Sequence, residues 1–157
     1  QAANGWQGLK KIAGSRKAWA AAAGIFFWSF SPFLGTAQFY YQSEALGLSP
    51  IFIGGLSTVG GLAGILGAAA YARLGRAGPA PIARASIWLG APLSLLYLGY
   101  RGPFSILILT AVFSLAGVIF RLAWMDLAAR CSPEGAEATV VAAYMAVFNI
   151  TASASNA

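Results

Sequence analysis

The charged residues of this chain are spaced so that five stretches of at least 16 residues carry none: 18–43, 45–72, 85–100, 102–120 and 138–157. A helix crossing the hydrocarbon of a bilayer needs about 20 apolar residues. In lipid the backbone must satisfy its own N–H and C=O groups, so runs of this length fold as helices. Membrane-spanning strands are about half as long and alternate polar with apolar residues, which these stretches do not. The chain is 59% hydrophobic and 9% charged, against about 25% charged residues in an average soluble domain. The expected class is an all-α membrane protein, an antiparallel transmembrane helix bundle.

The expected spans are about 18–42, 50–72, 82–100, 103–127 and 136–157, after a basic cytoplasmic linker at 1–17. The third is short, but Arg84 and Arg101 can snorkel from its ends. The links are brief and hold breaker residues. Pro50, Pro81 and Pro103 suit helix starts, where a missing N–H leaves nothing unsatisfied. Short links make successive helices antiparallel neighbours. The chain opens on Gln1 and ends on "NITASASNA" without a basic stop or aromatic anchor, so it reads as part of a longer protein.

Orientation follows from Lys and Arg. Lys10, Lys11, Arg16, Lys17, Arg73, Arg76, Arg84, Arg121 and Arg130 fall on one side of the bilayer and Arg101 alone on the other. The positive-inside rule puts the N-terminus in the cytoplasm. The net charge of +6 is thereby a topology signal rather than a nucleic-acid footprint. The chain has no His and a single cysteine, Cys131. That leaves no ready general base, no cysteine metal cluster and no intrachain disulfide. The expectation is no metal, no cofactor and no enzymatic activity.

Three features carry functional candidates. In the first span, "FFWSFSPFLGTAQFYYQ" holds Pro32, whose missing N–H kinks a helix at mid-membrane. Ser29, Ser31, Gln38 and Tyr40 lie close to it. Interrupted helices beside polar groups mark substrate sites in transporters, whereas a plain kink with an interfacial tyrosine pair is the other reading. In the last span, Tyr144 and Asn149 are further candidates for a central cavity or for bonds to a neighbouring helix.

The second span carries Gly60, Gly64 and Gly67 on one small face, suited to close packing, either fixed or sliding. The third feature is "FRLAWMDLAARCSPEGAEAT". Asp126 and Arg130 are four residues apart and share a helix face. Arg121 is about 140° from Asp126 on a straight helix. Glu137 opens the last helix, where a carboxylate complements the positive end. Arg121, Asp126, Arg130 and Glu137 are expected to form a cytoplasmic ionic latch serving gating or coupling.

The segment "FYYQSEALGLSPIFIGGLSTVGGLAGILGAAAY" (39–71) resembles the seventh and eighth helices of the folate–biopterin transporter family, a branch of the major facilitator superfamily. That pattern is an aromatic pair, a loop of the form L-G-hydrophobic-S-P and a glycine-rich helix. "AARCSPEGAEATVVAAYMAVFN" (128–149) is similar to the same family's approach to its eleventh helix, with Ser132 inserted between Cys131 and Pro133.

Together the two segments cover about a third of the chain. The resemblance implies an incomplete half of a twelve-helix transporter, helices seven to eleven, working against its N-terminal half in a bacterial inner membrane. Glu137 and Asn149 match the family motif, as do Pro133, Gly135 and Thr139. The first, fourth and fifth spans would line the cavity, with the third outside. The function implied is secondary active transport of a small organic solute by alternating access, folate, pterin or another. The alternative is a non-transporting scaffold or assembly factor of the same fold.

Overall fold

The computed structural model describes Lys10 and residues 13–30, 34–132 and 137–156. Every regular element among them is helical: α1 (Arg16–Ser29), α2 (Leu34–Tyr40), a π-helical turn (Tyr41–Ala45), α3 (Pro50–Leu74), α4 (Pro79–Leu95), α5 (Pro103–Arg130) and α6 (Glu137–Asn156). Short 3₁₀ turns at Gly75–Ala77 and Leu96–Gly99 follow α3 and α4. Four stretches are long and apolar enough to cross a membrane: Pro50–Ala77, Pro79–Gly99, Pro103–Arg130 and Ala138–Ser155. The 28 residues of α5 extend about 42 Å.

The first expected span, 18–42, appears as two helices. Phe30 leaves the helical region at φ −75°, ψ 111°, and the peptide resumes as α2 at Leu34. Ser31 and Pro32, on which the expected kink rested, lie outside the described residues, as does most of the basic linker. The third span begins at Pro79 rather than near 82. Gly78 takes φ +99°, a left-handed backbone that ends the preceding turn, and Pro79 sits at the first helical position, where its fixed φ is an advantage. Pro92 lies inside α4, and the helix tightens into 3₁₀ geometry four residues later.

Side chains cap the other starts. The Ser15 Oγ accepts from Ala18 N (3.3 Å), and the Ser49 Oγ accepts from Phe52 N (3.2 Å) ahead of Pro50. At the start of α5, Ser105 Oγ accepts from the backbone N–H groups of Arg101 and Gly102, both at 3.2 Å. Each satisfies a donor that the helix itself leaves open.

The chain divides into two compact units. One comprises Gln1–Leu34 with Trp124–Ala157, the other Gly35–Ala123. In the first, α1 packs along α6. Ala18, Ala21 and Ile25 meet a face that buries Val140, Tyr144 and Thr151, and the Trp124 indole lies on Gly24, where an added Cβ would come within 2.5 Å of the ring.

In the second unit, Leu56, Tyr100 and Ile106 form the buried centre, with Phe52, Tyr97, Leu109 and Phe113 around it. Here the glycine face of α3 meets α5. A Cβ on Gly67 would lie 2.6 Å from the Leu115 carbonyl oxygen, one on Gly64 would lie 3.3 Å from Val118, and one on Gly60 would lie 2.9 Å from Ser114 Oγ. Gly67 thus approaches backbone of α5, whereas Gly60 and Gly64 face its side chains.

Large apolar side chains face outward in both units: Ile51 is 88% exposed, Trp88 81% and Phe27 77%. In water, exposure on this scale along every long helix would be a continuous apolar surface of the kind that marks contact with membrane or protein.

Gly67 and Gly61 offer a matched test. At Gly67 an added methyl meets backbone that cannot rotate away, while at Gly61 nothing lies within 4 Å. Gly67→Ala is expected to destabilise by about 1–3 kcal/mol through overpacking. Gly61→Ala is expected to be neutral or to add up to about 1 kcal/mol by restricting the unfolded helix. Thermal unfolding of the two variants in the same detergent checks the difference.

Candidate functional site

An open cavity lies within the second unit. It is an open groove of about 430 Å³ walled by α2 and the π-helical turn on one side and by α3 and α5 on the others. Its polar groups are Gln38 from α2, Gln42 from the π turn, Ser57 from α3, and Thr110 and Ser114 from α5. Phe39, Ile53 and Leu56 supply apolar wall. No ionisable side chain lines it among the described residues.

Local chemistry explains the placement. The extra residue of a π turn rotates the side chains that follow it relative to a regular helix, and such turns recur at functional positions. Here it carries Gln42, which is 4% exposed, onto the groove side. On α5, Thr110 and Ser114 are one turn apart and share a face. Opposite them Gly60 has no side chain, so α3 stands close enough for Ser114 to reach the bottom of the groove. The glycines thus hold the helices together and keep the floor shallow.

A tyrosine cluster outside the groove lining holds Gln38. Gln38 Nε2 donates to the Tyr100 hydroxyl at 3.0 Å, and the Tyr41 hydroxyl donates to the Tyr100 carbonyl at 3.0 Å. The Tyr97 ring stacks on Phe113 at 4.4 Å and meets Tyr100 edge-on at 5.2 Å. These contacts tie α2 and the π turn to the link between α4 and α5.

Of the residues expected to line a cavity, Gln38 does so. Ser29 donates to the Ile25 carbonyl at 2.7 Å, so its hydroxyl is satisfied by its own helix. Tyr40 is exposed, edge-on to Phe39. Tyr144 is buried in the first unit and donates to the Ala18 carbonyl at 3.0 Å, beside an apolar pocket of about 110 Å³ between α1 and α6. Asn149 is exposed on α6.

Of the expected latch, Asp126 and Arg130 are brought together. Arg130 Nε donates to Asp126 Oδ1 at 2.9 Å and Nη2 to Oδ2 at 3.3 Å. Arg121 is exposed on α5, and the Glu137 side chain lies outside the described residues.

Sequence reasoning missed Gln42, Ser57, Thr110 and Ser114. A signal existed: Thr110 and Ser114 form a small polar stripe at one-turn spacing, matched to the Ser57–Gly60–Gly64 stripe of α3.

Over 137 residues the chain is 30% identical to a protein of Synechocystis sp. named folate-biopterin transporter. The match covers 80% of this chain and 28% of that protein, so the chain spans less than a third of the length of its curated relative. No protein-family model matches the chain, and no solved structure matches it. The likeness supports a transporter family. Together with the four apolar helices it supports an integral membrane protein whose surroundings are a lipid bilayer.

The Asp126–Arg130 pair joins side chains that are 30% and 61% exposed, the setting in which an i,i+4 pair contributes about 0.3–0.5 kcal/mol. Asp126→Asn is therefore expected to leave the unfolding temperature nearly unchanged. Tyr144→Phe removes a buried hydrogen bond and leaves the Ala18 carbonyl one donor short, with an expected loss of about 1–1.5 kcal/mol. Parallel thermal melts of both variants check the ranking.

Proposed function

We propose that this chain forms helices seven to eleven of a secondary transporter of the major facilitator superfamily. It moves a small organic solute, of folate or pterin type, by alternating access in a bacterial inner membrane, with the N-terminus cytoplasmic. The observation that carries the reading is the groove: five uncharged polar side chains gathered from three helices whose other faces are apolar. In a membrane, polar groups brought together beside an open cavity are a site for solute or water, because lipid gives them no partner.

The missing wall would come from the N-terminal half of the same transporter, consistent with a relative whose length the chain spans by 28%. Gln38 would contact solute. The Asp126–Arg130 pair, with Arg121 and Glu137, would act at the cytoplasmic end as gating charges. The close α3–α5 seam makes those two helices move as one body, because backbone contact at Gly67 leaves no slack for sliding. The glycine face is in this reading fixed packing rather than a sliding surface.

The test is uptake by the full-length protein in proteoliposomes, with labelled biopterin and folate as solutes. Uptake above protein-free vesicles is expected for at least one. Ser57→Leu, which places a branched side chain in the groove, is expected to lower uptake by about tenfold or more at unchanged melting temperature. Absence of uptake and efflux across both solutes and a broader panel of organic solutes would sink the reading in favour of a non-transporting scaffold. Asp126→Asn is expected to slow transport while leaving solute affinity within about twofold.

A further inference from the structure

Tyr100 does not line the groove, yet it touches two residues that do. Its hydroxyl accepts from Gln38 Nε2 at 3.0 Å. The Thr110 side chain is the second polar neighbour of the same hydroxyl. A phenol has one proton to give and lone pairs to accept with. Having accepted from Gln38, it has its proton left for Thr110.

The ring is 4% exposed and is held by Tyr97 at 5.2 Å. Its backbone carbonyl is held by Tyr41 at 3.0 Å. The hydroxyl is thus a fixed point between Gln38 of α2 and Thr110 of α5. With one N–H held by Tyr100, the planar Gln38 amide has its orientation set, and its carbonyl oxygen and one further N–H stay available. The groove then presents Gln38 Oε1 as a preset acceptor, beside hydroxyls of Ser57, Thr110 and Ser114 that rotate to suit.

We infer that Tyr100 is a positioning residue: it orients the Gln38 amide so that its carbonyl oxygen meets an N–H or O–H donor on an uncharged part of the solute. The inference rests on the reading of the groove as a solute site. It adds what that reading leaves open, the polarity of recognition and the residue that sets it. The uncharged lining fits the same picture: a hydrogen-bond donor on the solute needs an oriented acceptor, whereas a carboxylate would call for a cation or a cluster of N–H groups.

The experiment uses the full-length transporter in proteoliposomes with labelled biopterin, whose ring lactam carries an N–H donor, and unlabelled biopterin methylated at that nitrogen as competitor. Tyr100→Phe keeps the ring and removes only the hydroxyl. It is expected to raise KM about three- to tenfold with maximal rate within about twofold. Gln38→Leu is expected to do the same, and the double variant to be no worse than either single one, because both break the same arrangement. Tyr41→Phe, which loses the bond to the backbone carbonyl and spares the amide, is expected to leave KM within about twofold.

The methylated competitor is expected to bind wild type about tenfold more weakly than biopterin, and that gap is expected to shrink in Gln38→Leu. Unchanged KM in Tyr100→Phe, additive effects in the double variant, or equal competition by the methylated compound in wild type would each overturn the inference. If Tyr100→Phe does not fold, Gln38→Leu with the competitor pair decides alone. Absence of biopterin uptake by wild type is a different result, and overturns the transport reading beneath it.

Discussion

The approach of α3 to α5 is the contact on which the second unit depends. Lipid offers no hydrophobic force between two apolar helices, so they associate through van der Waals packing at close range and through hydrogen bonds. Gly60, Gly64 and Gly67 provide that range, with the Leu115 carbonyl near enough to exclude even a methyl at Gly67. Once α3 is fixed on α5, the positions of the small polar residues follow. Ser57 and Thr110 stand where the seam opens, and Ser114 sits under Gly60. The cavity is a consequence of how the seam is built, because residues small enough to let helices touch are also small enough to leave space where another helix turns away.

The second constraint is what happens to hydroxyls in an apolar medium. Ser29, Ser94 and Thr151 each donate to the carbonyl four residues back in their own helix, at 2.7, 2.9 and 2.7 Å. Ser86 does the same three residues back at 2.7 Å. Such back-bonding removes the penalty of an unpartnered hydroxyl and makes the residue chemically quiet. Tyrosine and glutamine cannot satisfy themselves this way, so their polar ends must find another element. Gln38 to Tyr100, Tyr41 to Tyr100 and Tyr144 to Ala18 are long-range bonds among the described residues for that reason.

This difference explains what the sequence revealed. Helices and most of their starts were legible because the determinants are local: charge-free length, a Ser ahead of Pro50, a proline at 103; at the third span the helix begins at Pro79, two residues before the expected Pro81. The expected kink rested on Pro32, which lies outside the described residues. The packing role of the glycines was legible from their spacing. The groove was not. In sequence, Thr110 and Thr151 are the same signal, a lone threonine in an apolar run. One lines a cavity and the other bonds its own helix at full burial, and only the neighbouring helix decides which. Gln42 was hidden for a related reason. A regular α-helix assigns it one face, and the π turn at Tyr41–Ala45 gives it another.

The electrostatics of the two units point to a separation of tasks. A charged side chain at membrane depth costs about 2.5–3.5 kcal/mol on insertion scales, while a glutamine or threonine that finds one partner costs far less. The groove uses only the second kind, so solute can be recognised there without holding an ion in a low-dielectric site. It also means that nothing lining the groove among the described residues takes up or releases a proton near neutral pH. Any coupling of transport to protons or other cations must then act through groups elsewhere. Among the described residues, Asp126 is an acidic residue with an ion-pair partner, Arg130. Its pairing with Arg130 is exposed and weak, which disqualifies it as a brace for the fold. A buried, strongly held pair would have the opposite profile: it would hold one state and resist leaving it. Under the proposed reading, neutral hydrogen bonds would serve recognition at the groove, and the exposed Asp126–Arg130 pair would serve state control.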